Sequence, residues 1–192
     1  EETMFRNVYK LLGGHYFEYQ DGKLSIHKYY DIQYHIDESK SLEDWEARIT
    51  EEFTKSVEAH QISDVEVGCF LSSGVDSSYV STYFKGQKTF TVGFDYGEKY
   101  NEIDWAKGLS KEVGLEHHYK VISTEEYWDS IRKVQYHMDQ PLADPSCIAL
   151  YFVSKLASEY VKVVLSGEGA DELFGGYTIY NEPRVFHLYQ KL

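Results

Sequence analysis

The chain has 192 residues, of which 42% are hydrophobic, and this combination predicts a compact folded domain with a buried core rather than a disordered chain. Its 32 acidic and 19 basic residues give a formal net charge of −13, which argues against nucleic acid or an anionic membrane as a broad-surface partner. No apolar run approaches the ~20 residues of a membrane span and the first residues do not resemble a signal peptide, so we expect neither feature.

The first element expected along the chain is a β-hairpin. Segments 15–20 (HYFEYQ) and 23–29 (KLSIHKY) flank Asp21 and Gly22, a pair typical of two-residue hairpin turns. The segment that follows, residues 31–41, is polar, and it is predicted to be a linker.

Beyond the linker, helices and strands are predicted to alternate. Ser41 with Asp44 and Ser123 with Glu126 have capping-box spacing ahead of apolar residues at helical intervals, and Gly114 is placed to end another helix. The strands are predicted at residues 65–71, 88–94, 117–122 and 161–165. The helices are predicted after residue 41, after the loop at 71–78, around 103–113, after residue 123 and at 147–160. Because strands that alternate with helices form βαβ units, we expect a parallel sheet covered on both faces, with ligands beyond the carboxyl ends of its strands.

Two of these strands end in small, polar, glycine-rich loops, and function is expected there. The loops are LSSGVDSS (71–78) and LSGEGADELFGG (165–176). A glycine-rich turn between a strand and a helix lets backbone N–H groups and the helix dipole converge on a phosphate. Asp76 would repel that phosphate unless a divalent cation lay between them, and Mg²⁺ commonly binds one or two carboxylates together with phosphate oxygens.

A purely structural interpretation of the first loop is that Ser72, Ser73 or Asp76 only caps the helix that follows. For the whole octet after an apolar strand, phosphate binding is the favoured interpretation. The loop is not a Walker A motif (G-x-x-x-x-G-K-S/T), because it has no lysine.

The octet resembles the PP-loop (S-G-G-x-D-S) of ATP pyrophosphatases, with Ser73 where a second glycine is usual. The second loop, together with TFTVGF (89–94) and DQPLADPS (139–146), resembles the asparagine synthetases. The opening segment, residues 5–31, resembles the end of that family's glutaminase domain. The resemblance spans nearly the whole chain, and the two loop motifs are specific in combination.

This resemblance implies an α/β fold of the PP-loop ATP pyrophosphatase (adenine nucleotide hydrolase-like) type, with a parallel sheet preceded by a short β-hairpin. It implies that residues 1–40 are the end of a glutaminase domain with its linker. Residues 41–192 would be the N-terminal part of a synthetase domain that continues further. The implied reaction is ATP-dependent amidation of aspartate to asparagine through β-aspartyl-AMP. It releases AMP and pyrophosphate, and its ammonia comes from glutamine hydrolysed by a glutaminase domain outside this chain.

The resemblance also implies the site residues, position by position. Those implied to contact ATP are Leu71, Ser72, Ser73, Gly74, Asp76, Ser77, Val92, Ser166 and Gly167. Small residues of the first loop would cradle the pyrophosphate part, and those of the second would pass near the ribose and α-phosphate. Leu71 and Val92 would line the adenosine pocket. Asp76 and Asp171 would hold Mg²⁺, and Glu168 with Asp171 would be catalytic, Glu168 in forming or consuming the acyl-adenylate.

Simpler interpretations of these residues stay open. Leu71 and Val92 are also ordinary core residues, Asp171 is also a helix cap, and Glu168 is also a solvated loop residue. Two other functions stay open as well. One is a related PP-loop amidotransferase or β-lactam synthetase-like ligase with a different carboxylate substrate, and the other is an inactive nucleotide-binding module.

The remaining polar candidates are weaker. His117 and His118 are adjacent on a predicted strand, so their side chains should point to opposite faces, which disfavours a shared metal. Cys69 and Cys147 have no metal-type spacing and no glutaminase context, so we expect a reducing, cytoplasmic compartment and no glutaminase activity from this chain. The expected partners are small molecules, and a homodimer is left open.

Overall fold

The structure of the protein, a computed structural model, describes residues 2–97 and 101–182. Its strands in these ranges are β1 (His15–Gln20), β2 (Lys23–Lys28), β3 (Val67–Phe70), β4 (Lys88–Phe94), β5 (Glu116–Ile122) and β6 (Val163–Leu165). Its helices are α1 (Leu42–His60), α2 (Val75–Tyr83), α3 (Ile103–Val113), α4 (Thr124–His137), α5 (Ser146–Ser158) and α6 (Ala170–Phe174), followed by a 3-10 turn at Thr178–Asn181.

Four strands form one parallel sheet in the order β5-β4-β3-β6. Cys69 of β3 is paired with Thr89 of β4 on one side and with Leu165 of β6 on the other. Strands β1 and β2 form a separate antiparallel hairpin. The α/β fold expected from the sequence, a parallel sheet preceded by a β-hairpin, is confirmed.

Two strands of the sheet are shorter than predicted. Strand β6 covers Val163–Leu165 rather than 161–165, and β3 likewise covers only part of 65–71. Val161 is 5% exposed and belongs to a core cluster with Phe90, so it is apolar because it packs in the core and not because it pairs in the sheet. An apolar run in the sequence therefore predicts too long a strand where residues beyond the last paired residue still pack in the core.

Helices cover both faces of the sheet, as a parallel sheet requires. On one face, Cys69 and Leu165 of the sheet pack against Val57 of α1. Val80 of α2 and Phe84, the residue after α2, belong to the same core cluster. On the other face, α4 and α5 pack on β4 and β5. The central strands β3 and β4 are thus covered from both sides, and the carboxyl edge of the sheet is left for the loops.

The helix ends follow the local signals in the sequence. Both predicted capping boxes are present, at Ser41 with Asp44 and at Ser123 with Glu126. Gly114 ends α3 in the left-handed conformation, with φ of 76°, which glycine adopts without strain. These predictions are confirmed because they depend only on residues within one turn of each other.

The hairpin turns at Asp21 and Gly22, which both have positive φ, as a two-residue type I′ turn requires. Phe17 and Ile26 are cross-strand partners on one face, yet both side chains are exposed. No residue of β1 or β2 is buried, so the hairpin adds nothing to the sheet's core. Within the described ranges, no helix is long and apolar enough to cross a membrane.

The adjacent histidines of β5 point to opposite faces, as predicted. Nδ1 of His117 lies 3.0 Å from Oγ1 of Thr89 and 3.3 Å from Oγ of Ser110, on the α3 side. The His118 ring lies 4.0 Å from that of Tyr160, centroid to centroid. Across residues 2–97 and 101–182, no group of three or more His, Cys, Asp or Glu side chains is arranged to hold a metal.

We predict that His117 makes the fold sensitive to mild acid. Burial, with repulsion from Lys107 and His118, lowers the pKa of His117 from 6.5 to about 4. Between these values the unfolded chain binds more protons than the folded chain, so the free energy of unfolding should decrease as the pH falls through this window. Urea unfolding at about pH 7 and about pH 5 measures the loss.

The variant His117→Gln should lose less stability than the wild type between the two pH values, because it has no imidazole to protonate. His35→Gln, at an exposed position of the linker, is the matched control and should follow the wild type. An equal loss in wild type and His117→Gln would contradict the prediction.

Candidate functional site

The loops after β3 and β6 emerge side by side at the carboxyl edge of the sheet. Strands β3, β4 and β5 follow one another in one direction, whereas β6 returns to the other side of β3. This reversal is a topological switch point, where open α/β sheets form their ligand crevices. A cavity of about 530 Å³ lies there, within the range of about 300–1,000 Å³ typical of small-molecule sites.

The two loops are in direct backbone contact. A Cβ added to Gly167 would lie 2.8 Å from the backbone nitrogen of Ser77 and 3.0 Å from Cβ of Asp76. These neighbours belong to the first turn of α2, so they cannot swing aside as a flexible side chain would. Gly167 therefore lets the loop after β6 lie on the N-terminal turn of α2, and only glycine fits.

Internal hydrogen bonds fix the first loop. Oγ of Ser77 accepts from the backbone N–H of Ser72 at 3.1 Å, and the two hydroxyl oxygens are 2.8 Å apart. The N–H of Gly74, the N-cap of α2, donates to Oγ of Ser72 at 3.0 Å. These serines stabilise the loop itself, and the N-cap provides no side-chain hydrogen bond to the first turn of the helix. The N–H groups of Val75, Asp76 and Ser77 have no helical acceptor of their own, which suits an anion.

Ser73 takes a different role from its neighbours. It does not line the cavity, and its backbone N–H donates to Oε2 of Glu102 at 3.1 Å. Its φ is not positive, so serine occupies this position without backbone strain. Glu102 lies just before α3 and does line the cavity.

Acidic side chains are concentrated around the cavity. Asp76 lies in the first turn of α2 and Asp171 in that of α6, and no side chain caps either helix at its N-cap. The hydroxyl of Tyr177 donates to Oε1 of Glu172 at 2.9 Å. That bond, burial and the charges of Glu172, Asp171 and Glu168 raise the pKa of Tyr177 to about 12. Among the described residues that line the cavity, none is lysine or arginine.

One wall of the cavity is apolar. Leu71 is 2% exposed at the end of β3, and Val92 is half-buried in β4. Leu150 and Val153 of α5 continue this wall. Val92 also packs against two core clusters. It is therefore both a core residue and a residue that lines the cavity. An apolar wall beside N–H donors and carboxylates suits a ligand with a flat apolar part and an anionic part that carries a cation.

The structure brings together every predicted site residue except Ser73. Those that line the cavity are Leu71, Ser72, Gly74, Asp76, Ser77, Val92, Ser166, Gly167, Glu168 and Asp171. The sequence analysis missed Glu102, Tyr177 and the wall from α5. Glu102 could have been found, because it follows β4 and must lie at the same carboxyl edge as the two glycine-rich loops.

We predict that Gly167→Ala destabilises the fold. The added Cβ must displace the backbone of α2's first turn, and overpacking of this kind costs about 1–3 kcal/mol in the free energy of unfolding. Urea denaturation measures this. Gly108→Ala on α3 is the control, because nothing lies within 4 Å of its Cβ, and it should be neutral or stabilising. Equal stability of Gly167→Ala and wild type would show that the loops do not touch as described.

Comparison with known proteins identifies relatives over most of the chain. The family model described as Asparagine synthase matches residues 48–192. The chain is 40% identical over 198 residues to a glutamine-hydrolysing asparagine synthetase of Bacillus subtilis, a match that covers 99% of the chain and 30% of that protein. It is 45% identical over 139 residues to a putative glutamine-hydrolysing asparagine synthetase of Mycobacterium bovis, covering 70% of the chain and 21% of that protein.

A relative with a different name also matches. The chain is 28% identical over 199 residues to the amidase chry2 of Gibberella zeae, covering 91% of the chain and 30% of that protein. The chain therefore spans about a third or less of the length of these relatives.

Proposed function

The chain belongs to the asparagine synthase family, and on that premise we propose that it contains the ATP site of a ligase that amidates aspartate to asparagine. The reaction passes through β-aspartyl-AMP and releases AMP and pyrophosphate. The observation that carries the proposal is the contact of the two glycine-rich loops around one cavity at the switch point of the sheet. A strand-to-helix loop with free first-turn N–H groups is suited to phosphate, and the apolar wall is suited to adenine.

The family uses ATP, and in this proposal different residues of the cavity bind different parts of the ATP molecule. The first loop, with Ser72, Gly74 and Ser77, binds the pyrophosphate part. Leu71 and Val92 contact the adenosine. In this arrangement the more buried part of the site, beside β3 and β4, orients the base, and the more exposed loops bind the phosphates. Ser166 and Gly167, which follow β6, pass beside the ribose and the α-phosphate.

A divalent cation is part of the proposal, with Asp76 and Asp171 as its ligands. The donor set fits, because the cavity has carboxylates from two loops and no lysine or arginine among its described lining residues. Because the described lining residues include no basic side chain, a cation bound there would balance the charges of the triphosphate and the carboxylates. Mg²⁺ held by Asp76 and Asp171 would supply charge neutralisation for the phosphates.

The protein's own contribution to the chemistry is mainly positioning and charge. The N–H groups of α2's first turn stabilise negative charge on the leaving pyrophosphate as aspartate attacks the α-phosphate. Glu168 follows Gly167 directly, and its N–H donates to Oγ of Ser166 at 3.3 Å, which ties the loop locally. Its carboxylate accepts a proton from ammonia as that nucleophile displaces AMP from the acyl-adenylate.

The domain assignment is also a proposal. Residues 1–40 are the end of a glutaminase domain with its linker, and residues 41–192 are the first part of the synthetase domain. Two observations support this division. The family match begins at residue 48, and the hairpin leaves its apolar face, with Phe17 and Ile26, outside the core of the parallel sheet. Residues 183–192 lie outside the described ranges.

Substitution of the two aspartates tests the proposed cation site. In the full-length protein that contains this chain, we expect Asp76→Asn or Asp171→Asn to lower aspartate-dependent ATP–pyrophosphate exchange by at least about a hundredfold. Asparagine caps helices about as well as aspartate, so a structural role alone predicts little loss.

Asp129→Asn is the matched control for that experiment, because Asp129 is an exposed residue of α4 outside the cavity, and it should exchange normally. Circular dichroism should show all three variants folded. Near-normal Mg²⁺-dependent exchange in both Asp76→Asn and Asp171→Asn would refute the assignment.

The named amidase among the relatives favours one second candidate, a ligase of the same family that activates another carboxylate. Such an enzyme would share both loops and the ATP half of the reaction. Pyrophosphate exchange with a panel of carboxylic acids separates the two, because only the true acceptor promotes exchange. Binding of ATP without exchange for any acid would instead indicate a nucleotide-binding module.

The chain of 192 residues should release no glutamate from glutamine. Burial raises the pKa of the Cys69 thiol to about 12, so this side chain is not a thiolate nucleophile at neutral pH. Cys147 is also buried, in α5. An enzymatic glutamate assay on the purified chain checks this, with the full-length protein as the positive control. The prediction would be contradicted if the chain alone released glutamate and if Cys69→Ser or Cys147→Ser abolished that release.

A further inference from the structure

Glu102 contacts the first loop from a neighbouring crossover. Its Oε2 atom accepts the backbone N–H of Ser73 at 3.1 Å, across 29 positions of sequence. Glu102 also lines the cavity at the switch point. A carboxylate therefore already occupies one backbone donor of a loop whose composition favours an anion.

The side chain of Glu102 does not cap its own helix. Glu102 is the N-cap of α3, yet its side chain makes no capping hydrogen bond. The N–H of Ile103 donates instead to Oδ1 of Asn101 at 3.2 Å. The helix starts through the carbonyl of Glu102, which accepts from the N–H of Ala106 at 3.1 Å. Substitution of the Glu102 side chain thus removes the contact to Ser73 and leaves the start of α3 intact.

The contact to Ser73 differs from the other bonds of the loop. The N–H groups of Ser72 and Gly74 donate to the serine hydroxyls of the loop itself, which are neutral. Only the N–H of Ser73, among these three, donates to a charged group, and charge-assisted bonds of this kind are the stronger ones. An incoming phosphate that uses this donor must displace the carboxylate of Glu102 or lie beside it.

We propose that Glu102, which lines the cavity and accepts the N–H of Ser73, is an internal anion that competes with phosphate at the first loop and so weakens binding of phosphate that carries no divalent cation. The inference rests on the proposed function, since it takes the first loop as a phosphate site. A metal-free phosphate meets repulsion from Glu102 in addition to Asp76. A phosphate that carries Mg²⁺ brings a positive charge that both carboxylates attract, so the competition becomes smaller.

Calorimetric titration with inorganic pyrophosphate tests this, in EDTA and in excess Mg²⁺. In EDTA, Glu102→Gln and Glu102→Ala should bind pyrophosphate about three- to tenfold more tightly than the wild type, a range set by the strength of a partly exposed, charge-assisted hydrogen bond. In Mg²⁺ the gain should be clearly smaller. Glu112→Gln is the control, because it removes the same charge from an exposed position of α3, and it should match the wild type.

The outcomes separate the possible failures. If Glu102 were only a clamp that orders the loop, Glu102→Ala would bind pyrophosphate more weakly, and that result overturns the proposal. The proposal is also overturned if the variants and the wild type bind pyrophosphate equally in EDTA, or if the variants gain as much affinity in Mg²⁺ as in EDTA. Either result leaves the phosphate site in place. No binding of pyrophosphate by any of the proteins in either condition overturns the phosphate site and, with it, the role of Glu102.

Discussion

The site depends on one close approach of two backbones, that of Gly167 against the first turn of α2. This approach follows from the register of the sheet. Cys69 is paired with Leu165, so the loops after β3 and β6 leave the sheet at the same level and side by side. With no side chain at Gly167, the second loop lies against Asp76 and Ser77, and the acidic residues of both loops line one cavity.

Charge balance is the second constraint on this cavity. Carboxylates from several elements line it, and among its described lining residues there is no lysine or arginine. Backbone N–H groups are then the main protein donors for an anion, and they carry only partial charges. A cation that accompanied a polyanion would therefore strengthen its binding to these described residues. The acidic character of the cavity is thus compatible with a nucleotide ligand, although a carboxylate alone would repel phosphate.

The apolar wall links the site to the stability of the fold. Leu71 directly follows β3 and Val92 lies in the second half of β4, where the core of the sheet continues into the cavity. A residue shared in this way is held by packing on several sides, which fixes the wall more firmly than the exposed loops opposite. The side of the cavity formed by the first loop, in contrast, is held by hydrogen bonds among Ser72, Gly74 and Ser77.

The sequence by itself determined the order and type of the elements and the two loops that form the site. Capping boxes at Ser41 and Ser123, the turn at Asp21 and Gly22, and the stop at Gly114 depend on contacts within a few residues, so local patterns are enough to predict them. Of the site residues implied by the resemblance of the loops to a known family, all but Ser73 line the cavity.

Only the tertiary structure decided which distant groups meet. The contact of Glu102 with Ser73 joins the loops that begin two successive crossovers and requires β3 and β4 to be neighbours, which no local pattern specifies. Whether Leu71 is core or cavity wall depends in the same way on how α5 and the second loop leave the sheet edge open. Local periodicity records which side of an element is buried, and the order of strands in the sheet determines what that side faces.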